Sequence, residues 1–212
     1  MRVVIDIDNT LVDYREIIRD SLRKLVKDSN ELFLENNYKN TKSIKSQIKD
    51  KFGDDIWQEI QGLIYSHDGL PIKFFDNAEK AIKFFSENNF DVYIVSHRTK
   101  FGLKSAKNKN ILAIAQKRIF SWINDKKLCS SIKSIIFCDT YDEKIKTIKF
   151  IQPNVIIDDL VSVHLDHKKN TDNQEILYIK FGNDNLQYER DLSYCENWYE
   201  VLKIFKKFYE IR

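Results

Sequence analysis

Two carboxylates two residues apart close the first apolar run of the chain, Val3-Val4-Ile5-Asp6-Ile7-Asp8-Asn9-Thr10-Leu11. On an extended backbone, residues two apart point to the same side. Two acids so placed repel each other, and one tends to keep its proton unless a cation lies between them. One chemistry uses both: a divalent metal held by oxygen ligands, one carboxylate as nucleophile, and the other as proton donor. A strand that merely runs out into a polar turn would carry the same residues, so the pair needs support from elsewhere.

That support comes from four further apolar runs, at 91–96, 134–139, 154–159 and 176–181. All are short and rich in β-branched or aromatic residues, as strands buried on both faces are. Helical patterns separate most of them, over 77–88, 105–125, 142–151 and finally 197–209. Strands alternating with helices predict right-handed crossovers and a parallel sheet with helices on both faces, a Rossmann-like α/β core. Four of the five strands end in Asp or Ser, at the edge where open α/β sheets place their ligands. Asp6 with Asp8, Ser96, Asp139, and Asp158 with Asp159 are therefore expected to converge on one crevice.

Residues 14–75 show no obvious strand and read as amphipathic helices over 14–28, 30–36, 41–52 and 54–66. An insertion of this length is too large for a loop and predicts a small all-helical domain, with residues 1–13 and 76–212 forming the core. It ends in His67-Asp68-Gly69-Leu70-Pro71, whose turn signals suit a hinge. Trp57 and Tyr65 could pack in the core of this domain or face a substrate, and general burial tendencies favour packing.

Composition narrows the function classes. A chain of 212 residues can hold one full core and a small accessory domain. Hydrophobic residues at 42% and charged residues at 32% fit a globular protein rather than a disordered one. No apolar run approaches the roughly 20 residues needed to cross a bilayer. No signal-peptide pattern opens the chain, so its start reads as mature structure in a cytoplasmic protein. A net charge of +3, from 35 basic and 32 acidic side chains, gives no nucleic-acid footprint. Cys129, Cys138 and Cys195 are odd in number and far apart, which fits reduced thiols; Cys138 lies in an apolar run as a core residue would. His164 and His167 could share a helix face, but with no third ligand nearby a zinc site is not expected.

The order of these residues resembles the phosphatases of the haloacid dehalogenase superfamily. Asp6-Ile7-Asp8-Asn9-Thr10-Leu11 is similar to the first motif and Ser96 to the second. Lys144, near the start of its predicted helix, matches the third better than Lys146 or Lys149, and Asp158-Asp159 matches the fourth. The helical insert lies where many members carry a cap. The resemblance implies that Asp6 attacks phosphorus to form an aspartyl-phosphate, while Asp8 protonates the leaving alkoxide and later deprotonates water. It implies Mg²⁺ held by the Asp6 carboxylate, the Asp8 backbone carbonyl and Asp158, with Asp159 as a further ligand or orienting a metal-bound water. Ser96 would donate to a phosphoryl oxygen, and Lys144 would offset the charge of nucleophile and phosphate together. Members that cleave carbon–halogen bonds lack an acid at the position of Asp8, which argues against dehalogenation.

The implied partner is a small phosphorylated metabolite. Asn9, Thr10, His97, Arg98 and Lys100 are the candidate substrate contacts, with Lys104, Lys107 and Lys109 read as a solvated face. A sugar phosphate draws support from the basic, hydroxyl-rich loop after Ser96. A nucleotide draws support from Asn197-Trp198, which resembles deoxyribonucleotidases of the same superfamily. A non-catalytic binding protein and a phosphotransferase using the same intermediate are the alternatives. A homo-oligomer is left open.

Overall fold

The computed structural model describes residues 1–26, 41–66, 72–101, 106–169, 171, 176–182 and 191–210. The predicted helix over 30–36, the hinge at 67–71 and Lys104 lie outside these residues.

The apolar runs form strands β1 (Arg2–Ile5), β4 (Asp91–His97), β5 (Ser134–Cys138), β6 (Val155–Asp158) and β7 (Leu177–Phe181). With β8 (Ser193–Cys195) they make one sheet in the order β5-β4-β1-β6-β7-β8, every neighbouring pair parallel. The chain moves outward from β1 through β4 to β5 and then returns to the other side of β1 at β6. That reversal opens a crevice beyond the carboxyl end of β1.

Alternation along the strands builds two apolar layers. Val3 and Ile5, Val92 and Ile94, Val155 and Ile157 join one buried cluster; Val4, Val95 and Ile156 join another. The first layer packs against α4 (Ala78–Glu87), α5 (Ile111–Asp125) and α8 (Trp198–Phe208). The second packs against α6 (Tyr141–Ile151) and α7 (Val161–Lys168). Strands covered on both faces need apolar residues at every position, which explains their continuous hydrophobic runs.

Between β1 and β4 the chain forms β2 (Val12–Asp13), α1 (Arg15–Leu25), α2 (Thr41–Phe52), α3 (Asp54–Ser66) and β3 (Lys73–Phe74). The predicted absence of strand in 14–75 is corrected here: β3 pairs antiparallel with β2 and joins the two crossings into the insert. Two residues are too few to show an alternation. In the insert α3 packs on α1 and α2, and it also meets α5 of the core. Arg118 on α5 donates to the Ile64 carbonyl at 3.0 Å, and Trp122 stacks on Phe74 with ring centroids 4.4 Å apart. Helix α5 begins later than its predicted start at 105, because the Asn110 side chain accepts the Ala113 N–H and caps the first turn.

Candidate active site

Asp6 directly follows β1 and keeps its register, its N–H donating to the Ile157 carbonyl at 3.0 Å. Its position in the alternation is that of Val4, and Asp158 has that of Ile156, so both carboxylates turn to the face covered by α6. Thr140 caps α6 through the Glu143 N–H, which fixes Lys144 in the first helical turn. The Lys144 ammonium, 2% exposed, donates to Asp6 Oδ1 at 2.6 Å and Asp158 Oδ2 at 2.7 Å. Asp159 completes the group: one oxygen each from Asp6, Asp158 and Asp159 lie within 4.8 Å of one another.

These charges do not balance. Burial pushes the Asp6 carboxyl up to about 7; Lys144 opposes that rise, while Asp158 and Asp8 add to it. Burial, then Asp158 and Asp6, hold Asp159 well above the usual carboxylate range. Burial works against the Lys144 charge, but Asp158 and Asp6 outweigh it and keep the ammonium protonated. With all three acids ionised, Lys144 and the more distant Lys180, whose charge also acts on Asp159, still leave the buried cluster short of positive charge. Clustered carboxylate oxygens with this deficit are a fitting donor set for a hard divalent cation.

The neighbouring backbone fixes the cluster. Leu160 N–H donates to Asp158 Oδ1 at 2.9 Å, and buried His164 places Nε2 3.2 Å from the Asp158 carbonyl. The turn after β1 folds over the Ile7 carbonyl, which receives the N–H groups of Leu11 and Val12 at 2.9 Å. Asn9 takes a left-handed φ of 59° there, a conformation that Asn tolerates, and its amide donates to Asp159 at 3.4 Å. The Thr10 carbonyl accepts from Trp198 Nε1 at 2.9 Å, tying the start of α8 to this turn. Lys180, paired in register with Asp158 on β7, is buried and donates to the carbonyls of Phe181 and Gly182.

Asp8 faces the other way. Its carboxylate pairs with Arg98, which contacts both oxygens through one nitrogen, and accepts from the Tyr14 hydroxyl at 2.7 Å. The Arg98 guanidinium lies 4.3 Å from the ring centroid of Tyr65 on α3, and Tyr65 meets Tyr14 edge to face. Burial first, then the charge of Asp8, keep both phenols neutral. Asp8, Arg98 and Tyr65 line a cavity of about 350 Å³ between α3 and the segment after β4, with Gln58 and Gln61 on the α3 side.

The expected residues thus divide. Asp6, Lys144, Asp158 and Asp159 come together, while Asp8, His97 and Arg98 line the cavity. Ser96 is buried at the same rim, on β4 next to β1. Asn9 and Thr10 shape the turn, and neither lines the cavity. Lys100 is exposed, its ammonium 5.4 Å from the centroid of Phe101, and is also absent from the lining. Asp139 is exposed and gives its backbone N–H to Glu143. Trp57 packs in the apolar core, whereas Tyr65 lines the cavity. Tyr14 and Lys180 carried no motif in the sequence, and Gln58 and Gln61 were not among the expected substrate contacts.

No protein-family model matches the sequence, and no curated protein matches it significantly. Solved structures do. A HAD-superfamily hydrolase from Ehrlichia chaffeensis is 20% identical, with 98% of this chain and 97% of that one aligned and a TM-score of 0.54. A predicted phosphatase from Clostridium acetobutylicum is 15% identical over 99% and 98% of the two chains, with a TM-score of 0.57. A haloacid dehalogenase-like hydrolase from Xanthomonas campestris is 10% identical over 100% and 99%, with a TM-score of 0.52. At such identities the likeness is one of fold.

Proposed function

We propose that this chain, which has the fold of the haloacid dehalogenase-superfamily hydrolases, is a Mg²⁺-dependent phosphomonoesterase acting on a small phosphorylated metabolite. One observation carries the reading: three carboxylates cluster at two adjacent strand ends, two of them gripping one buried ammonium, with a fourth carboxylate turned to the neighbouring cavity. Asp6, Asp158 and Asp159 would hold the metal, together with the backbone carbonyl of Asp8. When bound, it would neutralise charge on the phosphoryl oxygens. Asp6 attacks phosphorus, the ester P–O bond breaks, and the leaving alkoxide takes a proton from Asp8. Water then attacks the aspartyl-phosphate, gives its proton to Asp8 and restores the Asp6 carboxylate. Lys144 keeps nucleophile and phosphate from repelling each other, and Ser96 donates to a phosphoryl oxygen. Residues 14–75 act as a cap, with α3 supplying the cavity wall that excludes bulk water.

The nucleotidase alternative gains nothing from Trp198, which is fully buried against the Thr10 carbonyl. Among the described residues no helix is long and apolar enough to cross a membrane, in keeping with a small-molecule substrate. The test is release of inorganic phosphate from an aryl phosphate, with Mg²⁺ and with a chelator. Metal-dependent release is expected. Asp6→Asn should abolish it in a folded protein, and Asp8→Asn should lower it by about 10²- to 10⁴-fold, the range for a lost general acid–base. Retained turnover in folded Asp6→Asn would remove Asp6 as nucleophile, and no turnover of any ester would leave a binding protein.

A further inference from the structure

Arg98 holds both oxygens of the carboxylate assigned to proton transfer, a contact that competes with the leaving oxygen for Asp8. Arg98 is 5% exposed, and both Asp8 oxygens meet its one nitrogen. Its Nε–H is buried and has no hydrogen-bond partner among the described residues. A buried donor left unmade is costly, so the guanidinium edge is poised for an acceptor that the described residues do not supply. Arg98 is also the only Arg or Lys among the described residues that line the cavity. Besides Asp8 and Arg98, the polar side chains on its described wall are Gln58, Gln61, Tyr65, His97 and Thr99.

We propose that Arg98 is a specificity residue for a second anion on the substrate: the preferred ester carries a carboxylate or another phosphate on its alcohol portion. That anion draws the guanidinium off Asp8, and both Asp8 oxygens become available to the leaving group. The ion pair is exchanged, not lost, so the buried cation keeps a partner throughout. Tyr65 remains a platform under the guanidinium during the exchange, since a ring face attracts a cation whichever anion it pairs with. The inference rests on the phosphomonoesterase reading and narrows its substrate class to phosphorylated acids and bisphosphates.

The experiment compares esters matched except for the anion: phosphoglycolate with ethyl phosphate, and 3-phosphoglycerate with glycerol 3-phosphate. In the wild-type protein kcat/KM should favour the charged member by about 10- to 100-fold, the scale of one charge-assisted hydrogen bond. In Arg98→Gln that ratio should collapse towards one, and Arg98→Lys should restore part of it. A merely structural role would lower both members together and leave the ratio in place. Equal kcat/KM for charged and neutral esters in the wild type overturns the proposal, as does an equal loss for both in Arg98→Gln. Titration calorimetry of the same esters into Asp6→Asn gives the ratio as Kd. If no ester is turned over, the phosphatase reading fails by itself, and the Kd ratio still decides whether Arg98 selects an anion.

Discussion

The site contains two buried partnerships of acid and base, and they are built on opposite terms. At the strand ends three carboxylates cluster, two of them paired with the Lys144 ammonium and the third under the more distant charge of Lys180, so acids outnumber cations. At the cavity wall one carboxylate, Asp8, is matched by one guanidinium and a phenol, so the group is neutral. The first invites a cation. The second can only exchange one partner for another, which suits a gate that opens for an incoming anion. Their frameworks differ in the same sense. The deficit is held by β1, β6 and the first turn of α6, where register leaves little freedom. The balanced pair joins the turn after β1 to the segment after β4, with Tyr65 of α3 beside the guanidinium.

The largest effect should come from removing the ammonium. Lys144→Met leaves the buried acids uncompensated, and breaking a buried pair in this way costs about 3–5 kcal/mol. Urea unfolding without metal should show that loss, and millimolar Mg²⁺ should restore a substantial part of it. If Mg²⁺ has no effect on the variant, the cluster does not bind the ion.

Next comes the pH dependence of metal stabilisation. In the folded protein the Asp6 carboxyl is raised from 3.8 to about 7. A raised pKa means the folded state binds its proton more tightly than the unfolded chain. The associated stability is present below 3.8 and is lost as pH rises through 7. At about 1.4 kcal/mol per unit, the shift corresponds to at most about 4 kcal/mol. A bound divalent ion removes that penalty at high pH but must displace a proton at low pH. The rise in Tm on adding Mg²⁺ should therefore be several-fold larger near pH 8 than near pH 5. The reverse trend would place the ion elsewhere.

The two partnerships also differed in how far the sequence revealed them. Asp6 and Asp158 were legible because strand alternation and a shared sheet edge are periodic properties, while Lys144 stood out from its neighbouring lysines only through the family resemblance and its place near a helix start. The sheet and its flanking helices followed from the same periodicities. The pairing of Asp8 with Arg98 joins residues 90 positions apart. No repeat or motif encodes that, so Tyr14 was missed, and Tyr65 was read as packing in preference to facing a substrate. Helix α7 was missed for a related reason: it is eight residues long and buries two histidines instead of an aliphatic stripe. His164 nonetheless supports the Asp158 backbone, a role visible only once β6 and α7 are adjacent.

The smallest effect, and the sharpest on the neutral partnership, should come from Tyr14→Phe. The hydroxyl donates to Asp8 at 2.7 Å, but its loss leaves Asp8 still paired with Arg98. No charge is stranded, in contrast to Lys144→Met, so stability should fall by only about 1 kcal/mol, within the range for a single hydrogen bond. The kinetic effect should fall on kcat more than on KM, because Tyr14 touches the proton-transferring carboxylate and not the cavity. Steady-state rates on an anionic ester would show it. A loss as large as that of Lys144→Met would mean that Arg98 alone cannot hold Asp8, and that the cavity wall is no more self-sufficient in charge than the strand-end cluster.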